Sequence, residues 1–124
     1  MYEMMRSGQH KEAFMSATTI DRVRELNDSF RSSFVGGAVM LTDAVDALEP
    51  DSKRRLLEKV RDFDRFEDGN DPYREHDFGA VTLEGERYLF KLDYYDRACK
   101  FASPDPSDPA VTTRVLTIMH AQDY

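Results

Sequence analysis

A single cysteine, Cys99, stands in the 124 residues, so the chain can form no internal disulfide and no cysteine-rich metal site. That usage fits a reducing compartment. No apolar run approaches the roughly 18 residues that a membrane span needs, and no signal-peptide pattern opens the chain, so the expectation is a cytoplasmic protein. Glycine-rich phosphate loops, dinucleotide fingerprints, Ser–His–Asp signatures and internal repeats are all missing. Their absence removes the commonest nucleotide-dependent and nucleophilic chemistries, and no cofactor is implied. The length fits one domain with one modest core, preceded by a polar extension over residues 1–17 that has no clear period.

Charge is present but unevenly placed. Residues 1–61 carry ten acidic and ten basic side chains, whereas residues 62–124 carry fourteen acidic and seven basic, so the net charge of −7 lies wholly in the second half. It is densest over residues 62–77, where Asp62, Asp64, Glu67, Asp68, Asp71, Glu75 and Asp77 face only Arg65 and Arg74. Such a patch repels phosphate backbones and disfavours direct nucleic-acid binding. It suits a partner protein with a basic surface, with Tyr73 and Tyr95 as aromatic anchors.

The remaining elements follow from periodicity. The helix predicted over residues 18–33 has Ile20, Val23, Leu26 and Phe30 on one face, continued by Phe34 just after it, and Gly36-Gly37 ends the helix. A short strand over 38–42 and a helical turn to Leu48 lead to Pro50, a helix-start signal. The helix predicted over 51–66 has Leu56, Val60 and Phe63 as its stripe, widened by Leu57 and Phe66. Its basic residues read as a solvated face balanced by Asp51, Glu58 and Asp62, rather than as a membrane or phosphate contact.

Residues 78–84 and 87–95 alternate as strands about Gly85-Glu86. The expected pairing sets Asp77 against Tyr94 and His76 against Tyr95. Val81, Leu83, Tyr88, Phe90, Leu92 and Tyr94 then share the core face, with Asp77 at its end. Phe78, Ala80, Thr82, Leu89, Lys91, Asp93 and Tyr95 share the other, with His76. Moving the turn to Glu84-Gly85 changes the pairing but not this division. Pro104, Pro106 and Pro109 make residues 97–112 a loop. Residues 113–121 form a strand apolar on both sides, as suits a central position. The fold class expected is α+β: two helices packed on one face of a small, mainly antiparallel sheet built around the hairpin.

His76, Asp77, Asp93 and Asp96 gather at the hairpin's open end, which invites an acid–base or metal reading. Alternation lets only His76 with Asp93, or Asp77 with Asp96, converge, and neither set supplies the four ligands of a closed zinc site. The expectation is therefore no metal, a contact between His76 and Asp93 beside Tyr95 on the outer face, and an inward Asp77 bonded to backbone or Tyr94.

Three motifs carry a resemblance: NDPYREHDFG at 70–79, FKLDYYD at 90–96 and SPDPSDPAVTTRVLTIM at 103–119. In this order they resemble DUF3768, a family of small alphaproteobacterial proteins catalogued as a domain of unknown function. The resemblance spans roughly residues 20–124 and leaves 1–17 outside. It implies a place on plasmids and other mobile elements, and it brings no catalytic residues. Two functions follow as expectations. The first is a non-enzymatic acidic binding protein, a mobile-element accessory or anti-defence factor that presents carboxylates where phosphates would lie. The alternative is a small hydrolase using His76 and Asp93. The sequence carries no signal for oligomeric state.

Overall fold

The computed structural model describes residues 17–124; the extension expected over 1–17 lies outside the described residues except for Ala17, which opens the first helix. The elements run α1 (Ala17–Ser33), β1 (Ala38–Leu41), α2 (Asp43–Asp46), α3 (Pro50–Arg61), β2 (Phe78–Leu83), β3 (Glu86–Tyr95) and β4 (Thr113–His120), then a 3-10 turn (Ala121–Asp123). The four strands form one sheet in the order β1-β4-β3-β2. Its β2–β3 and β3–β4 pairs are antiparallel and its β1–β4 pair is parallel. The fold is α+β, and β4 takes the interior position that its two apolar sides suit.

One face of the sheet meets the helices. Phe30 of α1, Val45 of α2 and Leu56 and Val60 of α3 form one core with Leu83, Tyr88, Phe90, Leu92, Leu116 and Ile118. Phe90 is 0% exposed, whereas Lys91 on the opposite face is half-buried, so the alternation divides the hairpin as the sequence predicts. The α1 stripe is rotated slightly from its predicted line: Asn27 is fully buried and Leu26 only half so. The polar residue goes inside because hydrogen-bond partners await it there.

The turn sits at Glu84-Gly85, with φ of 52° and 80°. Positive φ at both central residues is the geometry whose twist matches the flanking strands. The register is therefore Leu83 opposite Glu86 and Gly79 opposite Phe90, and the pairings of Asp77 with Tyr94 and His76 with Tyr95 do not form. Gly79 has a packing reason. A Cβ there would stand 2.5 Å from the Phe90 ring and 2.8 Å from that of Phe63. The missing side chain lets Phe90 and Phe63 close edge-to-face over the strand, with centroids 5.1 Å apart.

α3 stops at Arg61, five residues earlier than its apolar pattern suggests, with Asp62 as C-cap. Carboxylates at 62 and 64 oppose the negative end of the helix dipole, and the chain leaves the helix there. Phe63 and Phe66 still reach the core from outside the helix. Of the cations on α3, Arg54 pairs with Asp51 at 2.7 Å and Glu58 at 2.8 Å, and Arg55 pairs with Asp51 and Glu84. Glu84, not Asp62, completes that balance. No helix among the described residues is long and apolar enough to cross a membrane.

Candidate functional site

The polar interior collects at one end of the sheet, where α1 and the loops 62–77 and 96–112 meet the ends of β3 and β4. Tyr94 and Arg114 are registered opposite each other on the core face. The Tyr94 hydroxyl donates to Glu75 Oε1 at 2.7 Å. Asn27 Nδ2 donates to that hydroxyl at 2.7 Å and to the Glu75 carbonyl at 2.9 Å. Arg114 Nε donates to Asn27 Oδ1 at 2.9 Å, and its Nη2 donates to the Pro106 carbonyl. The guanidinium carbon lies 5.3 Å from the centroid of the Tyr94 ring, a cation–π arrangement.

Burial shapes the electrostatics here. Desolvation raises the Tyr94 phenol well above its ordinary range, and the nearby Glu75 and Asp77 charges push the same way. Desolvation lowers Arg114 from its ordinary value, with Tyr94 and Glu75 opposing. A buried hydrogen-bonded group of this kind is satisfied internally and fixes geometry. It fastens α1, both loops and two strands at one point.

The proline-rich loop is ordered by its own polar side chains. Ser103 Oγ and Thr112 Oγ1 lie 2.7 Å apart, and Thr112 Oγ1 also donates to the Asp105 carbonyl at 2.8 Å. Asp105 Oδ1 accepts from the Ser107 amide at 3.1 Å and Asp108 Oδ1 from the Ala110 amide at 2.9 Å. These are local side-chain turns that replace ladder bonding where proline forbids it.

The predicted site residues are distributed differently from expectation. His76 has φ of 57° and so lies outside the strand alternation. Its ring stacks on Phe66 at 3.8 Å between centroids. Its Nδ1 faces the Asp28 carboxylate at 2.8 and 3.0 Å, and its Nε2 stands 3.7 Å from Asp71 Oδ2. Asp93 lies on the opposite face, where its Oδ2 meets Lys91 Nζ at 2.5 Å. The expected contact between His76 and Asp93 beside Tyr95 is therefore not formed. The left-handed residue at 76 turns the imidazole toward α1. Asp77 is buried as expected, and its carbonyl accepts from Leu92 N–H at 2.9 Å, but the Tyr94 hydroxyl goes to Glu75. Asp96 is separate again, with its Oδ1 accepting from the Lys100 amide at 3.0 Å.

The acidic stretch also divides. Asp62, Asp64, Glu67 and Asp68 are exposed, as is Tyr73 at 46%. Asp71 and Glu75 are only 4% and 2% exposed and serve the interior, Asp71 by accepting the His76 amide at 3.1 Å. Tyr95 is half-buried on the outer face, where it bridges to Ala102. Sequence reasoning missed Asn27 and Arg114. Arg114 did leave a signal, because it shares the strand parity of Leu116 and Ile118. Asn27 left a weaker one, four residues after Val23 and three before Phe30.

No curated protein and no solved structure matches the chain. One family model does match, over residues 41–123, and its description is a protein of unknown function, DUF3768. The matched segment starts at Leu41 rather than near Ile20, so it contains Glu75, His76, Tyr94 and Arg114 while Asn27 and Asp28 on α1 precede it. With three strands, α3 and both loops inside that match, the chain belongs to the DUF3768 family.

Proposed function

We propose that this is a small acidic binding protein of the cytoplasm that docks on a basic protein surface through the outward carboxylates of residues 62–68. In this reading the surface it covers is a nucleic-acid-binding face, the carboxylates stand where phosphates would lie, and the protein serves a mobile element as an accessory or anti-defence factor. The supporting observation is that Asp62, Asp64, Glu67 and Asp68 are exposed and have no ion-pair partner among the described residues. Exposed Tyr73 follows in the same loop and supplies an aromatic anchor. The hydrolase alternative loses its geometric basis, since His76 and Asp93 point to opposite sides of the sheet and each has a carboxylate or ammonium partner of its own.

A pull-down from the native host, with and without competing DNA, identifies the partner, and binding kinetics then test the surface. Asp64→Lys with Asp68→Lys is expected to slow association on the order of tenfold at low salt and to flatten its salt dependence. Exposed charges are screened over about 8 Å at physiological ionic strength, so the wild-type rate should fall as salt rises. Tyr73→Ala is expected to raise the dissociation rate instead. Asp71 is left out of the reversals because its carboxylate is internal. Association indifferent both to salt and to the reversals would remove this loop as the docking surface.

A further inference from the structure

β2 is an edge strand, and its open side is chemically prepared for another chain. Leu92 N–H donates to the Asp77 carbonyl. By the antiparallel alternation, Gly79, Val81 and Leu83 then turn their backbone groups toward β3. Phe78, Ala80 and Thr82 turn theirs outward, and no hydrogen bond among the described residues covers them. Alongside runs a groove of about 400 Å³, bounded by Lys59, Phe63, Asp64 and Arg65 on one wall and by residues 80–82 on the other. Phe63 and Val81, both half-buried, with Ala80 make up its apolar part.

The cations near this edge differ from Arg54 and Arg55 in the first half of α3. Arg54 and Arg55 are paired with Asp51, Glu58 and Glu84. Lys59 and Arg65 on the groove wall, and Arg87 opposite Thr82 on the outer face, are exposed and have no ion pair among the described residues. Asp64 is the lone carboxylate of the lining. We infer that the open edge of β2 takes up an extended acidic peptide segment as an additional strand, with the groove receiving its side chains. Main-chain bonds to residues 78, 80 and 82 supply affinity, and alternate side chains supply selectivity. One set of side chains lies over Phe63 and Val81 within reach of Lys59 and Arg65. The other lies beside Phe78, Ala80 and Thr82 on the outer face, one strand away from Arg87. A second copy of this chain is the poorer occupant, because pairing β2 with itself sets Lys59, Arg65 and Arg87 against their own counterparts.

The probe is a fluorescein-labelled heptapeptide, Glu-Val-Glu-Val-Glu-Val-Glu, blocked at both ends and followed by anisotropy on the whole chain, with its lysine counterpart as comparison. The acidic peptide is expected to bind at least tenfold more tightly than the lysine peptide. N-methylation of one alternate set of its amides should abolish binding, while methylation of the other set is tolerated, since only one set faces β2. This comparison uses the unaltered protein. Lys59→Glu with Arg65→Glu should invert the charge preference, whereas Asp68→Lys, in the acidic loop, should leave peptide binding unchanged and so separate this surface from that one. No binding of the acidic peptide would mean that these cations only guard the edge against aggregation, and would overturn the inference. Binding that survives both methylation sets would overturn it as charge attraction alone. Dimerisation of the chain that the peptide competes away would assign the edge to a second copy and overturn it too.

Discussion

At Tyr94 a single oxygen joins Asn27 of α1 to Glu75 of the acidic loop. Tyr94→Phe keeps the ring under Arg114 and removes one donor to the Glu75 carboxylate and the acceptor of one Asn27 N–H, whose bond to the Glu75 carbonyl remains. The expected loss is about 1–3 kcal/mol, read as a lower urea midpoint at unchanged slope. The same residue sets an alkaline limit. Its phenol is raised in the folded state, chiefly by desolvation, so the unfolded chain releases this proton first. The stability it contributes is full below the ordinary phenol range and declines from about pH 10 upward. Tyr94→Phe should make the stability profile above that pH shallower by at most about 1.4 kcal/mol per pH unit. Tyr88 and Tyr95 are also raised, mainly by burial, so part of the decline should remain. An unchanged alkaline slope in the variant would place the titration elsewhere.

The hairpin and the two helices covering it depend on how closely Phe90 packs at Gly79. Phe90→Ala is expected to cost about 3–5 kcal/mol, the range for an emptied aromatic site. Gly79→Ala should cost about 1–3 kcal/mol by overpacking, because its new methyl meets the rings of Phe90 and Phe63. Combined with Phe90→Leu, Gly79→Ala should cost less than it does alone, and chemical-denaturation midpoints of the cycle would show the coupling. This part of the fold was legible in advance, because period-two alternation assigns faces whatever the pairing register. β4 was legible for the same reason. The end of α3 was not, since Phe63 and Phe66 continue the apolar stripe although the backbone has already left the helix. The polar interior was legible least. Asn27 and Glu75 rank as surface residues by type, and only non-local partners offset their burial. A positive φ at His76 likewise carries no mark in a histidine, and with it the imidazole faces Asp28 rather than Asp93.

For the whole molecule the layout of charge and of strands works at long range. Exposed Asp62, Asp64, Glu67 and Asp68 cluster on one loop while Glu84, Glu86, Asp105 and Asp123 are exposed elsewhere, and Lys59, Arg65 and Arg87 stand near the open edge of β2. The acidic loop and the edge groove adjoin at Asp64 and Arg65, and raising salt should weaken binding at both. The strand order has a different kind of consequence. β4 follows every other strand in sequence, yet it lies between β1 and β3 and carries Leu116, Ile118 and Arg114 into both the core and the polar cluster. During synthesis β1 has no neighbour, and the inner edge of β3 stays open, until residues 113–120 have left the ribosome. The sheet is therefore expected to stay incomplete, and accessible to chaperones and proteases, until β4 has emerged. It should then close in one late cooperative step, at the millisecond-to-second rates typical of non-local strand pairing.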